Sequence, residues 1–277
     1  MDTKRLFGIR NPWEEVANMY DSDKNCLYDY NNCFVCKEDK KLLSEFNEYI
    51  KTTKEIKDEI ITTIPAEPWW GNPLTARLII LSLNPGYVPE VNKTLAKLLQ
   101  SNNAIRKALI EYKAKTLRLE ADSFLPEPDN LEPISCRDAV NMLGDWYWFK
   151  KLKYLKESVN IDENEFFRRI ALIEFHGYSS ETSNHTFPWK KKYLDSQQFT
   201  KELIWHITKK KDVCFLIMRS SKKWEDLLNE NNENFFQKKK EEGIIICKEN
   251  KGMSQAITPN NLGESNYETI VNILKNK

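Results

Sequence analysis

Four short apolar runs, at residues 77–83, 170–175, 213–218 and 244–247, stand apart from a chain whose other apolar positions recur at helical spacing. Each is rich in Ile, Val, Leu or Phe and ends at a polar turn. That pattern predicts β-strands buried on both faces, as in a parallel sheet covered by helices. The clearest helix spans 196–209, where Phe199, Leu203, Ile204 and Ile207 form one apolar stripe and Ser196 is placed to cap the start. Further helices are predicted at 225–240 and 266–275, and a charged one at 40–61 leads into the first strand. Parallel strands need crossovers of about a dozen residues or more. The pattern therefore predicts an α/β fold: a three-layer α/β/α sandwich around a central four-stranded, mainly parallel sheet. The connection over 84–169 far exceeds a simple crossover. It predicts a helical insertion at about 90–165, with helices near 92–121 and 135–156, after a helical N-terminal extension at 1–65 and within an α/β domain at 66–277.

With 277 residues, 40% hydrophobic and 12% aromatic, the chain can fill a sizeable core, and no repeat or Gly/Ser linker divides it. No apolar stretch approaches the length of a membrane helix, and the opening MDTKRLFGIRNP lacks a secretory apolar block, so a cytoplasmic protein without membrane contact is expected. Six unevenly spaced cysteines predict reduced thiols rather than a disulfide framework. A net charge of +1 decides nothing about partners. Between His185 and Lys240, however, 13 Lys and Arg face 7 Asp and Glu, clustered as Lys190–Lys192, Lys209–Lys211, Lys222–Lys223 and Lys238–Lys240. Such clusters either meet phosphates or coat solvated helix faces. The stretch GDWYWFKKLKYLK interleaves aromatics with lysines, which suits nucleic-acid stacking or a buried helix face with lysines outward.

Ligands of open α/β sheets bind at the carboxyl ends of strands. All four such ends are polar here: Asn84-Pro85-Gly86-Tyr87, His176-Gly177-Tyr178-Ser179-Ser180, Arg219-Ser220 and the later Thr258-Pro259-Asn260-Asn261-Leu262-Gly263. The order of strand, Asn-Pro-Gly, three further strands and a late Pro-x-x-Leu loop resembles the uracil-DNA glycosylase superfamily, especially its mismatch-specific and thymine/uracil branch. Ser82-Leu83-Asn84-Pro85-Gly86 is similar to the family's water-binding motif, and Thr258 to Gly263 to its closing loop. Two positions depart from the family: Ser82 replaces a glycine, and Thr258 replaces the His or Asn that contacts the base.

The resemblance implies a monofunctional DNA glycosylase that needs no cofactor, acts as a monomer and hydrolyses the bond between deoxyribose and a modified or damaged pyrimidine, with a further likeness to antiviral glycosylases of modified phage cytosine. Asn84 would orient the attacking water through its carbonyl oxygen, since an amide is no strong base. His176 would donate to the leaving base. Gly86, Tyr87, Tyr178 and Thr258 would line the base pocket, with Gly86 admitting a larger group at pyrimidine C5. Ser179, Arg219, Ser220, Asn260 and Asn261 would meet the DNA backbone, and Leu262 would be the wedge that helps flip the nucleotide. Cys26, Cys33 and Cys36 lie close together and Cys33-x-x-Cys36 has metal-ligand spacing, but a fourth ligand would have to come from Cys136 or a histidine, and no metal is expected. Three alternatives stay open: uracil or mismatched-thymine repair, a noncatalytic nucleic-acid-binding relative, and an α/β enzyme acting on free nucleosides or nucleotides.

Overall fold

A computed structural model describes residues 5–6, 8–22, 34–53, 59–86, 97, 100–124, 147–181, 193–248 and 256–276. The four predicted strands form at β4 (Leu78–Ser82), β5 (Ile170–Glu174), β6 (Cys214–Ile217) and β7 (Ile245–Cys247), with β5, β4, β6 and β7 pairing side by side in parallel. The sheet is nevertheless five-stranded and mixed, not four-stranded and mainly parallel. β3 (Trp69–Trp70) closes the outer edge of β5 in antiparallel register, Trp69 opposite Ile173 and Trp70 opposite Leu172. Two residues are too few to show an alternating pattern, so this strand leaves no trace in the sequence. A separate two-residue hairpin, β1 (Arg5–Leu6) with β2 (Ile9–Arg10), precedes the fold.

Alternation along the strands divides the core into two clusters, one on each face. Ile79, Leu81, Ala171, Ile173, Phe215 and Ile217 face one way and pack with α6 (Asp195–Ile207) and α7 (Ser221–Leu228). Leu78, Ile80, Ile170, Leu172, Cys214 and Leu216 face the other and pack with α4 (Tyr147–Val159), α5 (Glu163–Arg168) and α10 (Glu264–Lys275). Helices thus flank the sheet, as strands apolar on both sides require. The N-terminal segment enters the first cluster: Trp13 just ahead of α1 (Glu14–Ser22), Val16 and Tyr20 within it, and Phe46 and Ile50 from α2 (Lys40–Thr53) are buried there. From the connection between β4 and β5 come α3 (Asn103–Leu117) and α4, within the expected insertion. Among the described residues no helix is long and apolar enough to cross a membrane.

Three helical expectations change. The charged helix predicted at 40–61 ends at Thr53, and Ile61 forms an antiparallel bridge with Ser179 instead. The predicted helix at 225–240 is two helices, α7 and α8 (Phe235–Glu241), because Asn231 and Asn234 adopt left-handed φ angles of 64° and 65° in the Asn-rich turn between them. Ser196 does not cap α6. Instead, Asp39 from the N-terminal segment accepts the backbone N–H groups of Asp195 at 2.9 Å and Ser196 at 3.3 Å, a cap supplied from a distant part of the chain.

Candidate active site

Pairing between β4 and β5 runs past the strands, with Phe175 N–H donating to Ser82 O at 3.1 Å and His176 N–H to Leu83 O at 2.8 Å. A parallel bridge between Gly86 and Ser180 then keeps the two exit loops together. This registration brings Asn84 to Ser180. The Asn84 amide nitrogen donates to Ser180 Oγ at 2.9 Å, Ser180 O at 3.4 Å and Pro85 O at 3.2 Å. Committing the nitrogen fixes the amide plane and directs its oxygen away from Ser180. Asn84 is only 9% exposed, and Ser180 is buried.

The loop bearing Ser180 is clamped from the opposite side. Ile61 N–H donates to Ser179 O at 2.8 Å, and Glu67 N–H to Gly177 O at 2.8 Å. Tyr178 OH donates to Asp39 Oδ2 at 2.7 Å while accepting from Cys36 N–H at 3.3 Å, and its ring packs on Trp13 at 5.3 Å. Contrary to the roles expected of them in the base pocket and at the DNA backbone, Tyr178 and Ser179 are buried in the clamp, and neither is on a surface where it can stack on a base or meet a phosphate. Gly177 is required by the same packing: a Cβ there would lie 2.7 Å from the Trp13 ring. Burial, and then the charge of Asp39, push the Cys36 thiol up. Cys26, Cys33 and Cys136 lie outside the described residues, among which no three His, Cys, Asp or Glu side chains gather as metal ligands.

His176 is buried at the end of β5. Gln197 accepts Leu194 N–H through its oxygen at 2.8 Å, which identifies its nitrogen; that nitrogen donates to Phe175 O at 3.0 Å and lies 3.3 Å from His176 Nδ1. An amide N–H directed at Nδ1 leaves the imidazole proton on Nε2, so His176 is set as a donor rather than a base. Two residues earlier, Glu174 ends β5 in register with Ser82, which hydrogen-bonds its carboxyl group. It is 5% exposed. Burial raises its carboxyl to about 8, with Glu67 adding to the rise and Arg219 opposing it.

No family model, curated protein or solved structure significantly matches this chain.

Arg219 and Ser220 follow β6 and are exposed, and Gly86 has open space where a Cβ would stand. Beyond β7, Thr258 is half-buried and begins the single turn α9 (Pro259–Leu262). Asn260 is exposed, whereas Asn261 is buried and donates to Ala256 O at 2.7 Å. Leu262 is fully buried with Ile257, Tyr267 and Ile270. The expected wedge is thus a core residue, since insertion into a duplex requires a protruding side chain. Tyr87, His185 and Lys190–Lys192 lie outside the described residues.

Two lysine clusters sit away from this edge. Residues 209–211 lead into the amino end of β6, and residues 238–240 end α8 ahead of the amino end of β7. A groove of about 480 Å³ lined by Trp205, His206, Lys209, Phe235 and Lys238 lies at the C-terminal end of α6, away from the polar strand ends. The residues missed in the sequence are Glu174, Asp39 and Gln197. For Glu174 there was a signal, a single carboxylate closing the apolar run IALIEF.

Proposed function

We propose that the protein is a DNA glycosylase, acting as a cytoplasmic monomer without a cofactor to hydrolyse the N-glycosidic bond of a modified or damaged pyrimidine. The observation that carries this reading is the Asn84 carboxamide, anchored through its nitrogen to Ser180 at the carboxyl end of the central strand. An amide held this way accepts a hydrogen bond from one water through its oxygen and presents that water to C1′ of a deoxyribose. As the bond breaks, positive charge develops on the sugar and negative charge on the base. His176 offers Nε2–H to the departing base, and exposed Arg219 and Ser220 meet the flanking phosphates. An amide activates water weakly, so slow turnover is expected.

The burial of Leu262 favours a second reading, in which the substrate base is already exposed in a single strand or in a free nucleotide and needs no wedge. Both readings are tested by incubating the protein with duplex and single-stranded DNA carrying uracil, mismatched thymine or glucosylated hydroxymethylcytosine, and with the corresponding nucleosides. Alkali-labile sites in at least one DNA substrate, reduced at least ~100-fold by Asn84→Ala, are expected. Release of base from nucleosides alone would move the activity to the second reading. No product above the variant's background on any substrate would remove both.

A further inference from the structure

We infer that Glu174 delivers the proton that the departing base takes with it, so that the site is fitted to pyrimidines that leave poorly as anions, the aminopyrimidines of cytosine type. This inference rests on the glycosylase reading above. Uracil can depart as an anion whose charge spreads over two carbonyl oxygens and is stabilised by hydrogen bonds alone. Cytosine has one carbonyl and an amino group, so its anion is less stabilised and it leaves best as a neutral base after gaining a proton.

Glu174 is placed for that task. It is the last residue of β5, beside Ser82 on β4, and both precede by two residues the groups assigned to water and base, Asn84 and His176. Ser82 stands beside the carboxyl and favours its charged form, and one carboxyl oxygen, Oε2, is buried without a hydrogen-bond partner among the described residues. A buried, unpaired carboxyl oxygen at a polar strand edge is costly for a fold and is retained where a ligand or proton completes it. The charged groups facing it are Glu67 ahead of β3, itself ion-paired to Lys113 of α3, and Arg219 after β6, with His176 following on its own strand. Burial outweighs Arg219, and the carboxyl, raised to about 8, keeps its proton at neutral pH.

The step balances. The C1′–N1 bond breaks with its electron pair passing to the base, and the Glu174 proton moves to the base at O2 or N3. Water held by Asn84 adds its oxygen to C1′, and the proton that this water sheds restores the carboxyl. Water is consumed, and free base and an abasic sugar are formed.

The experiment is single-turnover base release from one oligonucleotide sequence carrying either uracil or 5-hydroxymethylcytosine at the same position, comparing the full-length protein with Glu174→Gln. Gln should slow hydroxymethylcytosine release at least ~100-fold and uracil release less than ~10-fold. The unaltered protein provides a second readout that needs no variant to fold: its hydroxymethylcytosine rate should fall as pH rises through about 8. Equal slowing on both bases, no slowing on either, or a flat pH profile would overturn the inference while leaving the glycosylase reading intact. A protein that releases neither base would overturn the inference, and one that also releases none of the bases of the earlier panel would remove the glycosylase reading with it.

Discussion

At Asn84 the nitrogen does the anchoring, so the acceptor on Ser180 sets where the amide oxygen points. Ser180→Ala removes the 2.9 Å partner and leaves the two longer contacts. It should cost about 1 kcal/mol of stability and lower kcat roughly tenfold with KM unchanged, because ground-state binding is untouched. Stopped or single-turnover kinetics beside a urea titration measures both. Glu174 has a pH signature of its own. Its carboxyl is raised from 4.5 when unfolded to about 8 when folded, so the native state holds the proton more tightly. The stability it contributes is present below the unfolded value and is lost as pH rises to the folded one, with a slope approaching ~1.4 kcal/mol per pH unit. Glu174→Gln should remove that slope, and urea unfolding at about pH 5 and about pH 8 would show it; parallel losses in both proteins would contradict the assignment. In the sequence, Asn84 and His176 were recognisable because each is polar at the end of an apolar run. Glu174 looked like the tail of such a run, and Tyr178 and Leu262 carried side chains equally suited to a ligand or to a core. Burial by residues far away in the chain decided those two, and sequence spacing holds no record of it.

Among the elements, the loop at 176–180 depends on the segment around Asp39 more than on its own strand. Asp39 accepts from Tyr178, Asp195 and Ser196 at once, tying α2, the loop and α6 together. Asp39→Ala leaves two buried donors and one part-buried donor without this acceptor and should cost about 2–4 kcal/mol. Asp39→Asn, which keeps one oxygen acceptor, should recover part of it, as thermal and urea unfolding would read; a neutral Ala substitution would show that the cap is incidental. Gly177→Ala drives a methyl into Trp13 and should cost about 1–3 kcal/mol. The four buried strands were legible because continuous apolar runs between turn signals have few other readings. β3 was not, since two tryptophans pair with β5 through backbone alone, and the α7–α8 break was hidden in a polar Asn/Glu stretch that suits helix surface and turn alike. A cap contributed across 156 residues of sequence separation could not be seen from Ser196.

Across the whole molecule, one edge of the sheet gathers the polar groups, and the opposite edge carries two of the described lysine clusters. On the proposed reading, phosphate contact at the site falls to Arg219 rather than to residues 209–211. Arg219→Ala should weaken DNA binding and reduce its salt slope by about 1, while Lys209→Ala should change neither, as fluorescence anisotropy at several salt concentrations would measure. The N-terminal segment belongs to the same core as the sheet, so the strand-end geometry is a property of the full chain. The most direct measurement is the single-turnover rate of free-base release from modified-pyrimidine DNA by the full-length protein, set against Asn84→Ala. A rate at least ~100-fold lower in the variant, with its fold intact, is the predicted result. Equal rates in the two proteins would contradict it.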